Sequence, residues 1–531
     1  MVVKRYSLSE VRLPLGADEH ELRIVAADLL SLEPEELLEF EILRRAVDSR
    51  SHRSICFVHT VGFCYDGALS GQRLRERGPV AEPVPHEASR SALDSPPVVV
   101  GTGPAGLFAA LTLAELGYRP VVLERGSPVE KRHKHVAEFL KTGLLNDRDN
   151  MLSGEGGAGA YSDGKLTGRS AGESARAVLL EFVRFGAPQD ILVDANPHIG
   201  TTKLREILPK IRQHVESKGG RFLFNVEVIS IARKDGRYEI VTDSGPMLCS
   251  CAVLALGQHR TRNYNLLSLA GATLETKPFQ MGVRVEMPQE VVERWAYGPS
   301  AFDVRLPRAD FALVHRGKGT GPDVFSFCMC PGGVVVPSPC EPETLCVNGM
   351  SDSGRNGRFA NSALVSTFNP IDLGAIDWRS ALHARRQIEV EGFKSGGGGF
   401  KAPAVLSEDF VARRLSPELP DASYSIGLEP ADLRQVLPKY FLSALRSALT
   451  EFETKIPGFC SESILIAPET RASSPVRIVR TDRGDAAGLP DVFVVGEGSG
   501  YSGGIMSSAL DGIRAAQTIA RSYLPSGNCS A

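Results

Sequence analysis

Gly101, Gly103 and Gly106 stand in Gly101-Thr102-Gly103-Pro104-Ala105-Gly106, directly behind the β-branched run Val98-Val99-Val100. An Ala/Leu-rich stretch follows to Gly117, then a second apolar run, Val121-Val122-Leu123, that ends in Glu124 and Arg125. Each residue type suits one task in gripping a dinucleotide. Gly101 permits a tight turn, Gly103 lets backbone approach a pyrophosphate, and Gly106 lets a helix pack closely on its strand. Pro104 and Ala105 open that helix, whose free N–H groups and positive dipole end favour phosphate. Glu124, eighteen residues beyond Gly106, is placed to accept hydrogen bonds from an adenosine ribose. A lone G-x-G-x-x-G means little, because any glycine-rich turn contains one. Strand, turn, helix, strand and acid in this order imply a dinucleotide site.

A second segment points to FAD over NAD. Val492-Phe493-Val494-Val495 reads as a buried strand ending in Gly496-Glu497-Gly498, and Gly503, Gly504 and Ile505 open a further Ala-rich helix. This resembles the way flavoproteins of the glutathione-reductase type close their site. Glu497 would hold the ribityl chain, and the helix N-terminus would face the flavin pyrimidine edge. Between the two segments, Val226 to Ile231 alternates as a strand, Asp235-Gly236 makes a hairpin, and Tyr238 to Thr242 returns. Ala252 to Leu256 then brings a buried strand to Gly257, where only a small residue leaves room beside the dinucleotide. In that layout the backbone of Val228 lies near the adenine.

Other candidates have plainer readings beside them. The loop Gly154 to Lys165 holds Gly156 and Gly157; it lays N–H groups along the pyrophosphate with Lys165 adding charge near the flavin, or it is a surface loop. His198, behind Pro197, is either an acid/base or a packing group. Arg355 and Asn361 would anchor an anionic substrate, or are ordinary polar loop residues. Cys328 and Cys330 suggest a dithiol, yet i and i+2 side chains on a regular strand lie about 7 Å apart, too far for an easy disulfide. They read as buried packing, and no C-x-x-C occurs in the chain. The histidines show no metal-ligand spacing, and no G-x-S-x-G elbow follows a strand.

The elements that must position these residues fall into blocks. Residues 1–75 read as a small α/β unit: Asp18 to Leu30 has helical spacing, and Ser54 to Phe63 alternates. Residues 76–95 are polar and proline-bearing, a linker. Residues 96–277 form the first part of the FAD-binding domain and 471–525 its closing segment. Residues 278–470, with many strands and an amphipathic helix from about 431 to 453, form an inserted second domain. At 531 residues the chain is too long for one core. Its formal charge of −3 with interspersed signs, and 7% aromatics, argue against nucleic acid. Ten scattered cysteines read as reduced cytosolic thiols, and the apolar runs are far short of the ~18 residues needed to span a bilayer. The expected location is cytoplasmic.

Further motifs carry a family resemblance: Thr142-Gly143-Leu144-Leu145-Asn146, Gly154 to Gly159, Ser162-Asp163-Gly164-Lys165-Leu166, Pro197-His198-Ile199-Gly200-Thr201, Phe325 to Gly333, Asn348-Gly349-Met350-Ser351 and Arg471 to Arg477. With them the chain resembles an uncharacterised family of FAD-dependent dehydrogenases of bacteria and plastids with a distinctive FAD-dependent C-terminal domain. It departs from the family at Gln258-His259, where His-Ser is commoner, and at Met287, where a histidine is usual. The resemblance implies an α/β fold: a glutathione-reductase-type, Rossmann-like FAD domain with an inserted α+β domain and the small N-terminal unit. The implied activity is hydride transfer through flavin N5 to or from a small molecule. The rival readings are a flavin hydroxylase, a polyprenyl-type reductase at a membrane surface, and a flavin-binding protein with a partner-binding or RNA-modification-associated role. Between residues 170 and 480 there is no second G-x-G-x-x-G, so NAD(P)H enters only as a transient donor touching Lys165, Arg355 or Arg284.

Overall fold

The structure, a computed structural model, describes residues 3–77, 91–167, 172–319 and 321–526. Most of the expected linker therefore lies outside the described residues.

The three valines of Val98–Val100 are all buried and sit mid-sheet. Their strand pairs in parallel with Val121–Glu124 on one side and Ala252–Leu254 on the other. Arg221–Phe224 extends one edge, and Val492–Val494 extends the other. Strands covered on both faces read as unbroken apolar runs, and these do. Register is the important consequence. Val100 lies level with Leu123 and Leu254, and Leu254 with Val494. Gly101, Glu124, Ala255 and Val495 therefore leave the sheet along one edge, the carboxyl ends where α/β sheets bind ligands.

One face of this sheet is packed by two helices, Pro104–Glu115 and Ile505–Ser522. They touch through backbone: a Cβ at Gly512 would lie 2.0 Å from the Ala105 carbonyl oxygen. Likewise a Cβ at Gly106 would lie 1.9 Å from the Gly101 oxygen, so Gly106 serves helix-to-strand packing. The antiparallel strands Val228–Lys234, Arg237–Thr242 and Gly245–Cys249 form the hairpin layer the sequence implies.

Residues from 279 to 469 build a second, mostly antiparallel sheet, in the order Val314–His315, Val324–Pro337, Phe359–Phe368, Phe279–Pro288, Ile464–Glu469, Ala402–Leu406 and Leu428–Pro430. Val347–Met350 pairs on Val324–Pro337. The amphipathic helix expected from 431 runs instead over Lys439–Lys455. Its N-cap is Pro438, which lacks an N–H and is disfavoured further into a helix; the residues before it make only a 3₁₀ turn at Leu433–Gln435. Another long helix, Trp378–Ser395, was not anticipated.

The N-terminal strands Leu38–Asp48, Cys56–Asp66, Val3–Pro14 and Leu74–Arg77 pair in that order, with the helix Glu21–Leu30 against them. Arg45 fixes this unit to the rest through Asp194 at 2.9 Å and Asp190 at 3.4 Å. Among the described residues no helix is long and apolar enough to cross a membrane.

Gly512→Val should wedge the two helices apart. The expected loss is about 1–3 kcal/mol, the usual cost of overpacking, read as a lower denaturation midpoint, and an unchanged midpoint would contradict the backbone contact.

Candidate functional site

A cavity of about 640 Å³ opens at the carboxyl edge of the parallel sheet and continues to the second sheet. That is within the range of pockets that enclose a whole ligand, about 300–1,000 Å³. Gly101, Gly103, Pro104, Ala105, Glu124 and Arg125 line one end, with Gly157, Val228 and Gly257 beside them. Gly496, Glu497, Gly503, Gly504 and Ile505 close it from the C-terminal segment. Lys165 and Arg355 line the far end, near Phe311, Cys328 and Asn348.

The near end fits a dinucleotide on its own geometry. A Cβ at Gly103 would meet nothing closer than 3.9 Å, and one at Gly503 or Gly504 nothing within 4 Å, although all three line the cavity. The backbone there leaves space that a ligand fills. Gly103 and Gly504 are also the N-caps of the Pro104 and Ile505 helices, and neither helix has a side-chain cap. Two sets of first-turn N–H groups and two positive dipole ends thus converge on the cavity.

Glu124 is buried and already works inside the protein. It accepts from the Thr102 N–H at 3.0 Å, the Thr102 hydroxyl at 2.6 Å and the Gly126 N–H at 2.8 Å. A carboxylate offers about four acceptor sites, so a ribose hydroxyl is still accommodated. Arg125 donates to the Asp147 carbonyl. Glu497 accepts from the Gly504 N–H at 3.0 Å and from Gln258 Nε2 at 3.3 Å, and burial pushes its carboxyl up. Gln258 is in turn held by Arg385 and by the Arg471 carbonyl.

The glycine loop is not a surface loop. Arg132, fully buried, donates to the carbonyls of Asn150 at 2.8 Å, Gly154 at 3.2 Å, Glu155 at 2.6 Å and Gly157 at 2.9 Å. Its guanidinium also lies 4.7 Å from the centre of the Tyr161 ring. Nothing in the local sequence marks Arg132 for this role. Asp163, which is also fully buried, was equally unassigned. It accepts from Ser351 and from Arg355 Nη2 at 2.5 Å, with Lys165 Nζ 3.8 Å away. Lys165 itself donates to the Met329 carbonyl.

Several expected residues stand elsewhere. Gly156 does not line the cavity; a Cβ there would meet Leu208 at 2.4 Å. His198 lies behind the wall, with Nε2 buried and unpartnered. Burial first, then Arg355 and Lys165 against an opposing pull from Asp163, lowers its pKa to about 4. It is therefore neutral at physiological pH and has no proton to donate as an imidazolium. Asn361 is buried outside the cavity lining, where its Oδ1 accepts from Arg284 Nε at 2.8 Å and its Nδ2 is unpartnered. Arg284 is saturated by Asn361, by Glu469 at 2.9 Å and by the Cys328 carbonyl at 2.6 Å, which removes it from any donor contact. Met287 is a core residue.

Cys328 also departs from expectation. Phe327 and Cys330 pair with Ala363 and Asn361, so one extra residue bulges from the strand, and Cys328 takes a φ of 47°. The regular spacing that separated the two thiols is absent. Cys330 is buried, whereas Cys328 lines the cavity.

Comparison with known proteins gives three family-model matches. The FAD-dependent protein C-terminal domain covers residues 278–472, an FAD binding domain covers 97–150, and a domain of unknown function covers 6–64. An uncharacterised protein of Clostridium beijerinckii is 37% identical over 525 residues, which is 97% of this chain and 98% of that one. Solved structures with some likeness include CtdE in complex with FAD, at 12% identity and a TM-score of 0.31 over 80% of this chain and 83% of that chain. Glycine oxidase from Geobacillus kaustophilus is similar at 13% identity and a TM-score of 0.32, over 83% and 97%.

Two outcomes follow from this geometry. Gly103→Val should place methyl groups where the pyrophosphate passes and yield protein without bound flavin, scored by the absorbance of the purified chain; retention of a full complement of FAD would refute the cradle. Glu155, buried with Oε1 unpartnered, has its pKa raised from 4.5 to about 7, mainly by burial. The folded state then holds a proton the unfolded chain releases. Stability from this group is complete below pH about 4.5 and is lost as pH rises through about 7, a loss of up to about 3 kcal/mol. Glu155→Gln should flatten that slope in denaturation midpoints measured from pH 5 to 8.

Proposed function

The chain belongs to the uncharacterised family of FAD-dependent proteins that carry this C-terminal domain, and from that premise we propose that it moves a hydride between the flavin and a small molecule held at the Lys165–Arg355 end of the cavity. FAD is its cofactor, and the chain is an FAD-dependent oxidoreductase. When bound, the isoalloxazine supplies the site that accepts or gives the hydride. The observation that carries the reading is the continuity of one cavity from the glycine cradle to a charged wall on the second sheet.

The protein's own groups divide the work. Gly101, Gly103, Gly257 and the Pro104 helix receive the pyrophosphate; Glu124 takes the ribose; Glu497 takes the ribityl chain. The uncapped N–H groups that open the Ile505 helix would favour negative charge on the reduced flavin. This is the glutathione-reductase-type arrangement, with 96–277 and 471–525 as the FAD domain, 278–470 inserted and 1–75 appended. Arg355, held in place by Asp163 and with Nε unpartnered, orients an anionic group of the substrate. His198 is neutral at this end, whereas Glu469, which lines the cavity and whose carboxyl burial pushes up to about 7 against the pull of Arg284, can carry a proton near neutral pH.

A nicotinamide donor would bind the same far end, without a helix cradle of its own. Anaerobic stopped-flow mixing with NADH or NADPH should show weak flavin reduction that falls further with added salt, because charge contacts carry the binding. Tight saturation that ignores salt would contradict this reading, and Arg355→Ala should weaken binding without changing the flavin content.

A further inference from the structure

The bulge at Cys328 places one thiol on the cavity wall and a second directly behind it. Lys165 Nζ donates to the Met329 carbonyl and Arg284 Nη2 donates to the Cys328 carbonyl at 2.6 Å, so two cations pin the bulge from opposite sides. Behind it, Cys330 Sγ lies 3.3 Å from Arg284 Nη2 and 3.4 Å from the Cys328 carbonyl oxygen. The bulge brings the two cysteines together, and the Cys330 neighbour, with Lys165 and Arg284 adding to the effect, holds the Cys328 thiol below its ordinary pKa against burial, while Cys330 is pushed up. One sulfur is thus an accessible nucleophile and the other a protonated partner, the asymmetry on which dithiol chemistry depends. Plain packing explains Cys330 alone. It does not explain a cysteine in a left-handed bulge facing a cavity between two cations.

We propose that Cys328 and Cys330 are a redox dithiol that exchanges an electron pair with the flavin. The Cys328 thiolate and the Cys330 thiol become joined by an S–S bond. Together they give up two electrons and the proton of Cys330, and oxidised flavin takes up that pair and that proton. In reverse, the disulfide draws the pair back from reduced flavin, the S–S bond breaks, and the proton returns to Cys330. The cavity wall therefore stores a second electron pair beside the cofactor. The inference rests on the flavin reading given above.

Two measurements on the purified holoprotein test it. After air oxidation, unfolding in an alkylating reagent and digestion, the peptide carrying Cys328 and Cys330 should appear unalkylated at these positions and two hydrogens lighter; after dithionite treatment both should be alkylated. Anaerobic dithionite titration should consume four electrons per flavin in the natural protein and two in Cys328→Ser or Cys330→Ser. Uptake of two electrons by the natural protein, with both thiols alkylated before and after, would overturn the dithiol while leaving the flavin function intact. If either serine variant does not fold, the alkylation result on the natural chain decides alone. Protein without flavin would instead overturn the cofactor reading, and the disulfide could still be scored by mass.

Discussion

A guanidinium buried against its own electrostatic preference holds the cofactor end together. Burial lowers the pKa of Arg132, yet a guanidinium does not lose its proton in a protein, so its charge has to be met by neighbours. They are the carbonyls of residues 150, 154, 155 and 157 and the face of Tyr161. Meeting that charge shapes the loop. From it, the Gly156 N–H reaches the Thr102 carbonyl at 3.0 Å, and Thr102 is clasped by Glu124. Arginine, glycine loop, phosphate turn and ribose-side acid form one hydrogen-bonded unit, so loss of the arginine would be felt at every contact along the cavity floor.

The far wall is organised by two ion pairs of different character. Arg284 and Glu469 are both buried, and every N–H of the guanidinium has a partner, so the arginine is scaffold. Asp163 is shared between Arg355, Lys165 and Ser351, which holds both cations at the wall of a cavity that Asp310 also lines. The first pair fixes the strand bulge and the second fixes the cations that face a substrate. Neither contribution resembles stabilisation by a surface ion pair, which is commonly worth about 0–1 kcal/mol.

The residues read most readily from the sequence were those whose chemistry is local. Gly101, Gly103 and Gly106 sit in a strand–turn–helix whose period and breakers are visible within a short window, and Gly496, Glu497 and Gly504 repeat the pattern. Roles that the sequence does not show depend on distant partners. Arg132 lies in an ordinary amphipathic helix and reaches residues up to Gly157; Arg284 lies in a strand and reaches Cys328, Asn361 and Glu469. No periodicity encodes such pairings. Cys328 was misplaced for a related reason: one extra residue turns a strand's alternation, and nothing in Phe327-Cys328-Met329-Cys330 announces it. The helix expected from 431 began late because Pro438 imposed a start that hydrophobic spacing alone does not show.

The placement of the closing strand has a consequence for how the protein is born. Val492–Val494 completes the sheet beside Ala252–Leu254, and its following helix lies against the one that opens at Pro104. A chain emerging from the ribosome has its first phosphate turn almost four hundred residues before Glu497 and the Ile505 helix. The side of the Pro104 helix that packs on the Ile505 helix stays uncovered through all that time, and contacts so distant in sequence form slowly. A nascent chain of this design must therefore remain unstuck, by shielding or by speed, until the closing strand and helix arrive, and flavin can only be a late guest.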